Sequence, residues 1–208
     1  MDQTTQERGK LQNFQRMRRL VLALIIAALV IALLFVRSAW GEEGHEFIEA
    51  IGIGTIAAGI LGRMWCTLYI GGSKAYAIVT AGPYSISRNP LYLFSSIAAF
   101  GVGAQTGSLI VAFVFLIGCA LAFHVVILRE ERFLLPAFGE PYRAYLNRVP
   151  RFLPRTLKVV NEESLVVQPA RLYRTFIDGM VFFVAMPALE IVEWLQSSGV
   201  LPVVLRLY

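Results

Sequence analysis

Charge is scarce in this chain. Of its 208 residues, 16% are Asp, Glu, Lys or Arg, where an ordinary soluble domain carries about 25%. Together with 57% hydrophobic residues and a mean hydropathy of +0.63, this excludes a disordered chain and argues against a soluble globule. Cysteine is rarer still. Cys66 and Cys119 sit singly in apolar stretches, so there is no disulfide scaffold, redox pair or cysteine-based metal set to read. Histidine occurs only as His45 and His124, and no further histidine or cysteine stands near His124 to complete a metal set. A Gly-x-Ser-x-Gly elbow, a Walker loop and a His-Glu-x-x-His pair are all absent, which argues against serine hydrolase, P-loop and zinc-protease chemistry. No internal repeat or low-complexity tract is visible.

What the chain has in quantity is apolar sequence. Leu20–Val36 is an uncharged run preceded by Arg16, Arg18 and Arg19 and followed by Arg37 and an acidic loop. It reads as a retained anchor helix, because no small-residue cleavage site follows. Phe47–Leu61 is a second run. Leu91–Leu128 is a long apolar region broken by Gly101, Gly103, Gln105 and Gly107, which divides into two helices with a turn near residues 104–108, the first short or tilted. Phe176–Leu195 is a fifth, weaker candidate, interrupted by Asp178, Pro187, Glu190 and Glu193. The expected fold is therefore all-α, a polytopic bundle of about five membrane helices.

Basic residues follow the same plan. Five precede the first run, and nine against five acids lie between Arg129 and Arg174, whereas the loop after the first run has Arg37 against Glu42, Glu43 and Glu46. That alternation places the N-terminus and the 129–174 segment in the cytoplasm. The net charge of 19 − 14 = +5 then belongs to loops beside anionic headgroups and implies membrane lipids, not nucleic acid, as its partner. From Arg129 onward, with Pro136, Pro141, Pro150 and Pro154, short helices and turns are expected on the cytoplasmic face. About 45 residues bury too little to stand as a separate domain.

Two polar clusters flank the third and fourth helices. In the first, Gly82-Pro83-Tyr84 marks a turn and Arg88-Asn89-Pro90-Leu91-Tyr92 a helix start, with Asn89 as cap and Pro90 in the first turn. It is either a plain cap with a snorkelling arginine, or an anion site made of Arg88 and the leading amide N–H groups. The second runs from His124 through Arg129-Glu130-Glu131-Arg132 to Phe138-Gly139-Glu140-Pro141-Tyr142-Arg143-Ala144-Tyr145. Glu130 and Glu131 project about 100° apart and need different partners. Arg129 and Arg132 can neutralise them in a solvated network, or the pair belongs to a site. His124, within the apolar helix, is a packing residue or a ligand. Gly52-Ile53-Gly54 and Gly101-Val102-Gly103 allow close helix approach.

Taken in order, Gly82-Pro83-Tyr84, Ser87-Arg88-Asn89-Pro90-Leu91-Tyr92-Leu93, Glu130-Glu131-Arg132-Phe133-Leu134, Phe138-Gly139 with Tyr142 and Tyr145, and Val149-Pro150-Arg151-Phe152-Leu153-Pro154 resemble the isoprenylcysteine carboxyl methyltransferase family. The phospholipid N-methyltransferases share much of this pattern. The resemblance covers residues 62–154. It implies one integral-membrane methyltransferase domain over 1–208, with 155–208 as a helical extension. It also implies methyl transfer from S-adenosylmethionine to a lipophilic or lipid-linked acceptor at the cytoplasmic face. Carried over by position, Gly82, Pro83, Tyr84, Arg88, Asn89, Pro90 and Tyr92 form one wall of the cofactor site, and Glu130, Glu131, Tyr142 and Tyr145 the other. His124 is grouped with them, and Arg88, Glu130 and Glu131 are the catalytic candidates. The sequence departs from the family at Asn89, where histidine is commonest, and asparagine cannot accept a proton. It departs again at Leu93-Phe94, where a small residue often follows the tyrosine.

Two other classes fit the same residues. One is an NADPH-dependent membrane oxidoreductase like the sterol reductases. The other is a non-catalytic membrane scaffold with a degenerate site.

Overall fold

The computed structural model describes residues 31–71 and 78–208. Most of the expected first helix, Leu20–Val36, lies outside the described residues. The rest is an all-α membrane bundle with one two-stranded pairing, β1 (Val36–Ser38) with β2 (Leu205–Leu207). Three described stretches are long and apolar enough to cross a bilayer: Glu42–Ile70, Leu109–Phe138 and Pro169–Ser197.

Helix α1 (Glu42–Gly71) opens on Glu42 and Glu43, carboxylates that suit the positive end of a helix. It extends the expected 47–61 run at both ends. Helix α2 (Pro90–Ala104) begins on its proline. Its 15 residues span about 22 Å at 1.5 Å each, short of a hydrocarbon layer of about 30 Å. The turn falls where the glycines and Gln105 break the apolar run. Ser108 then caps helix α3 (Leu109–Phe138), its Oγ accepting from the Val111 N–H at 3.3 Å. Here the structure corrects the expectation that helix gives way to turns at Arg129. Apart from the one rung that Pro136 cannot donate, the helix continues through the charged residues to Phe138 and ends at Gly139, at φ +61°. Glu130 and Glu131 therefore stand within the helix, about two turns before its end. Helix α4 (Glu140–Arg148) follows at once. Helix α5 (Pro169–Met180), a 3-10 turn and helix α6 (Ala185–Ser197) make up the last candidate span.

The described residues form two compact units. The larger, 38–191 with 207–208, holds α1 to α5. Within it α2 packs between α1 and α3, and α5 packs on α1. The α1–α2 interface is backbone against backbone: a Cβ on Gly101 would lie 2.5 Å from the Gly52 carbonyl oxygen, and one on Gly59 2.7 Å from the Ala98 Cβ. The described part of the smaller unit is 31–37 with 192–206. In it the Gln196 amide donates to the Leu34 and Val36 carbonyls at 2.9 and 3.1 Å.

Candidate active site

The site is built from three pieces of chain that meet at the end of the larger unit where α1 finishes. The first is the 3-10 turn Gly82–Ser85. Gly82 has φ +59°, and a Cβ there would run into the Tyr69 ring, so the turn admits only glycine. Its amide donates to the Val160 carbonyl at 2.7 Å.

The second piece is residues 87–89, tied to a return segment at 150–152. The Arg88 N–H donates to the Pro150 carbonyl at 2.9 Å, Ser87 Oγ to the Phe152 carbonyl at 2.7 Å, and Asn89 Nδ2 to the Arg151 carbonyl at 2.9 Å. Asn89 occupies the cap position of α2, but its side chain does not cap. It is spent on Arg151.

The third piece is the C-terminal end of α3 with α4. Here the adjacent carboxylates take different partners. Glu131, 12% exposed, meets Arg88 Nη1 at 3.0 Å and Arg151 at 2.8 Å from Nη2 and 3.2 Å from Nε. Glu130 accepts from the Tyr92 hydroxyl at 2.7 Å. Arg129 and Arg132, which the sequence offered as counter-ions, make neither contact; Arg88 and Arg151 take that part. Arg151 stood in the quoted motif without a role, and its signal was its place in the proline-bracketed Pro150–Pro154 strip. Tyr145 donates to the Tyr84 carbonyl at 2.8 Å and ties α4 to the turn. Tyr142, Tyr145 and Val149 are buried together against Leu134, Leu135 and Phe138.

Between these pieces lies a cleft of about 390 Å³. Tyr84, Arg88, Asn89, Tyr92, Glu130, Glu131, Tyr142 and Tyr145 all line it, joined by Ile70, Ile78, Val79, Leu91, Leu134 and Phe138. Gly82, Pro83 and Pro90 are buried behind the lining and shape it from there. His124 does not line this cleft. It borders a separate cavity lower on α3.

Electrostatically the cleft combines a buried ion network with neutral phenols. Burial pushes the hydroxyls of Tyr84 and Tyr145 well above the ordinary tyrosine value, and that of Tyr142 upward too, with the Glu131 charge adding to it. These side chains therefore act as hydrogen-bond donors and ring faces, not as phenolates. The hydrogen bond to Glu131 holds the Arg151 guanidinium above its usual value. Among the described residues Arg88 Nε is buried without a hydrogen-bond partner, an unmet donor in the cleft lining.

Residues 48–141 match the phospholipid methyltransferase family. The cobalt-zinc-cadmium resistance protein CzcN of Cupriavidus metallidurans is 34% identical to this chain over 199 residues, covering 95% of this chain and 92% of that protein. The nickel-cobalt-cadmium resistance protein NccN of Alcaligenes xylosoxydans xylosoxydans is 30% identical over 185 residues, 86% of each.

The chain belongs to the phospholipid methyltransferase family.

With its three apolar spans, this member is an integral membrane protein. The matched region takes in the turn, Arg88, Asn89, Tyr92 and both glutamates. The α4 tyrosines and the 150–152 segment lie beyond it, although they close the same cleft. No solved structure matches the chain.

Proposed function

We propose that the protein transfers a methyl group from S-adenosylmethionine to a lipophilic acceptor at the cytoplasmic membrane face. The observation that carries this reading is the cleft itself: residues from the 84–92 region, from the end of α3 and from α4 converge on one cleft of mixed polar and apolar lining at the end of an apolar bundle. Its volume falls within the range of about 300–1,000 Å³ typical of cofactor sites.

The residues present suit that cofactor. Arg88, with an unmet buried donor, would hold the carboxylate. Glu130 would hold the ammonium or the ribose hydroxyls, and the faces of Tyr92 and Tyr142 would pack on the adenine or the sulfonium. When bound, S-adenosylmethionine supplies an electrophilic methyl whose leaving group is a neutral thioether. The chain's own part is to orient, to exclude water and to handle a proton. Glu131 is committed to two guanidinium groups and serves to position Arg88. Among the described residues Glu130 has only the Tyr92 hydroxyl on it, so it is the carboxylate available to take a proton from an amine or hydroxyl acceptor. A carboxylate acceptor needs no base.

The relatives' names speak of cobalt, zinc, nickel and cadmium. A divalent cation offers no electron pair to a methyl electrophile, so the cation is not the acceptor. The acceptor on this reading is a membrane molecule and not the metal.

The test is to incubate membranes from expressing cells with methyl-labelled S-adenosylmethionine and to extract the lipid. Label is expected in the lipid fraction, and Glu130→Gln should reduce it by about 10²-fold or more when the acceptor carries a proton. Absence of label above non-expressing membranes, or full activity in both Glu130→Gln and Glu131→Gln, would overturn the reading.

A further inference from the structure

At the end of the larger unit opposite the cleft, α1 begins with the carboxylates Glu42, Glu43, Glu46 and Glu49, and His45 stands among them. Residues 42, 45, 46 and 49 follow i, i+3, i+4, i+7 spacing and share one face of the helix. On that face His45 Nε2 lies 3.2 Å from Glu49 Oε1, one turn further on, and the two side chains are 18% and 28% exposed. None of these groups takes part in the proposed methyl transfer. By helical rise His45 is about 38 Å from Ile70 at the cleft.

The fold builds a seat for this pair. The turn between α2 and α3 lies against it, and a Cβ on Gly107, at φ +64°, would fall on the His45 imidazole at Nδ1. Glycine there leaves the space that the ring occupies and sets which ring edge faces Glu49. The buried Gln105 amide donates to the Glu49 carbonyl at 3.0 Å and pins the same turn of α1. Both donors are thus held before any ligand arrives. Their separation is also informative. A charge-assisted N–H to carboxylate contact closes to about 2.7–2.9 Å, and this pair stands wider. A divalent ion about 2.0–2.1 Å from an imidazole nitrogen and about 2.0–2.2 Å from a carboxylate oxygen holds those atoms about 2.9–3.4 Å apart, at bond angles of about 90–110°. The observed 3.2 Å falls within that bite.

We propose that His45 Nε2 and a Glu49 carboxylate oxygen chelate a divalent transition-metal ion at the start of α1, with water completing its shell. Glu42 and Glu46, on the same face, add the negative field that draws a cation there. One imidazole with one carboxylate suits zinc, cobalt or nickel, whereas magnesium and calcium take shells of oxygen alone. Partial exposure lets the ion enter and leave. Neither this seat nor its test depends on methyl transfer in the cleft.

The full-length protein, purified without a histidine tag and stripped with a chelator, is titrated with zinc by calorimetry and with cobalt by visible absorption. One ion per chain is expected, and excess magnesium or calcium should not displace it. His45→Ala and Glu49→Gln should each weaken zinc binding at least tenfold, and His45→Ala should shift the cobalt spectrum. Glu43→Gln removes the same charge from another face of α1 and should weaken zinc binding less than threefold. A further arm needs no variant to fold. In wild-type protein zinc should protect His45, and not His124, from diethyl pyrocarbonate, read by peptide mass spectrometry. Absence of zinc binding to wild type, unchanged binding in His45→Ala, or equal losses in Glu43→Gln and Glu49→Gln would overturn the proposal. Displacement by magnesium, or equal modification of His45 with and without zinc, would overturn it too.

Discussion

Glu131 accepts two guanidinium groups at once, and the two are not equivalent. Arg88 is 13% exposed and Arg151 37% exposed. Removing Arg151 takes away a half-solvated partner, a loss of about 1 kcal/mol once screening is allowed for. Removing the Glu131 charge leaves Arg88 buried without its counter-ion, which costs about 3–5 kcal/mol. Arg151→Ala should therefore weaken labelled-cofactor binding by roughly fivefold to tenfold and leave the thermal midpoint close to wild type, whereas Glu131→Gln should lower both sharply. Arg151→Lys should resemble the alanine variant, because an ammonium cannot span both carboxylate oxygens. Equal effects from Arg151→Ala and Glu131→Gln, measured by equilibrium binding and thermal melts, would refute this division of labour.

At the scale of elements, the 82–85 turn and the 150–152 strap fix the site more than any helix does. Gly82→Ala places a Cβ both in a left-handed backbone conformation and against the Tyr69 ring. The strain of about 1–2 kcal/mol for the backbone alone should displace Tyr84 from the cleft wall. Reduced cofactor binding with an unchanged helical signal in circular dichroism is the expected result, and wild-type binding would contradict it. The pieces of this arrangement differ in how legible they were. The α2 start at Pro90 and the α2–α3 turn could be read because proline and glycine are local signals. The continuation of α3 to Phe138 could not, because a membrane helix that emerges into water stays helical while its composition changes. Asn89 looked like a cap because it stands before a proline, but its amide partner is 62 positions away. His124 was grouped with the glutamates by nearness in sequence, yet it lies some two turns below Glu131 on the same stripe, a depth the helical rise already dictates. Arg151 was hidden because a long-range ion pair leaves no local spacing to find.

Over the whole of the larger unit, polar features divide between two ends. At one end Ser38 Oγ donates to the Gly107 carbonyl at 2.8 Å, Ser108 Oγ to the Tyr208 carbonyl at 2.9 Å, and Trp40 packs edge-on against Tyr208. The acidic start of α1 belongs to this end. The 29 residues of Glu42–Ile70 then rise about 43 Å to the cleft, around which Arg88, Arg148 and Arg151 gather. The positive-inside rule favours a cytoplasmic arginine-rich end, and the proposed chemistry requires one, because S-adenosylmethionine is made there. The two requirements are independent, and the cleft works only if they agree. In intact cells, an impermeant maleimide should label Glu43→Cys and should reach Asn147→Cys only after permeabilisation. Cys66 is buried within a candidate span and gives little background. The opposite pattern would turn the cleft away from its methyl donor, and the proposed chemistry would fail however well the individual residues fit.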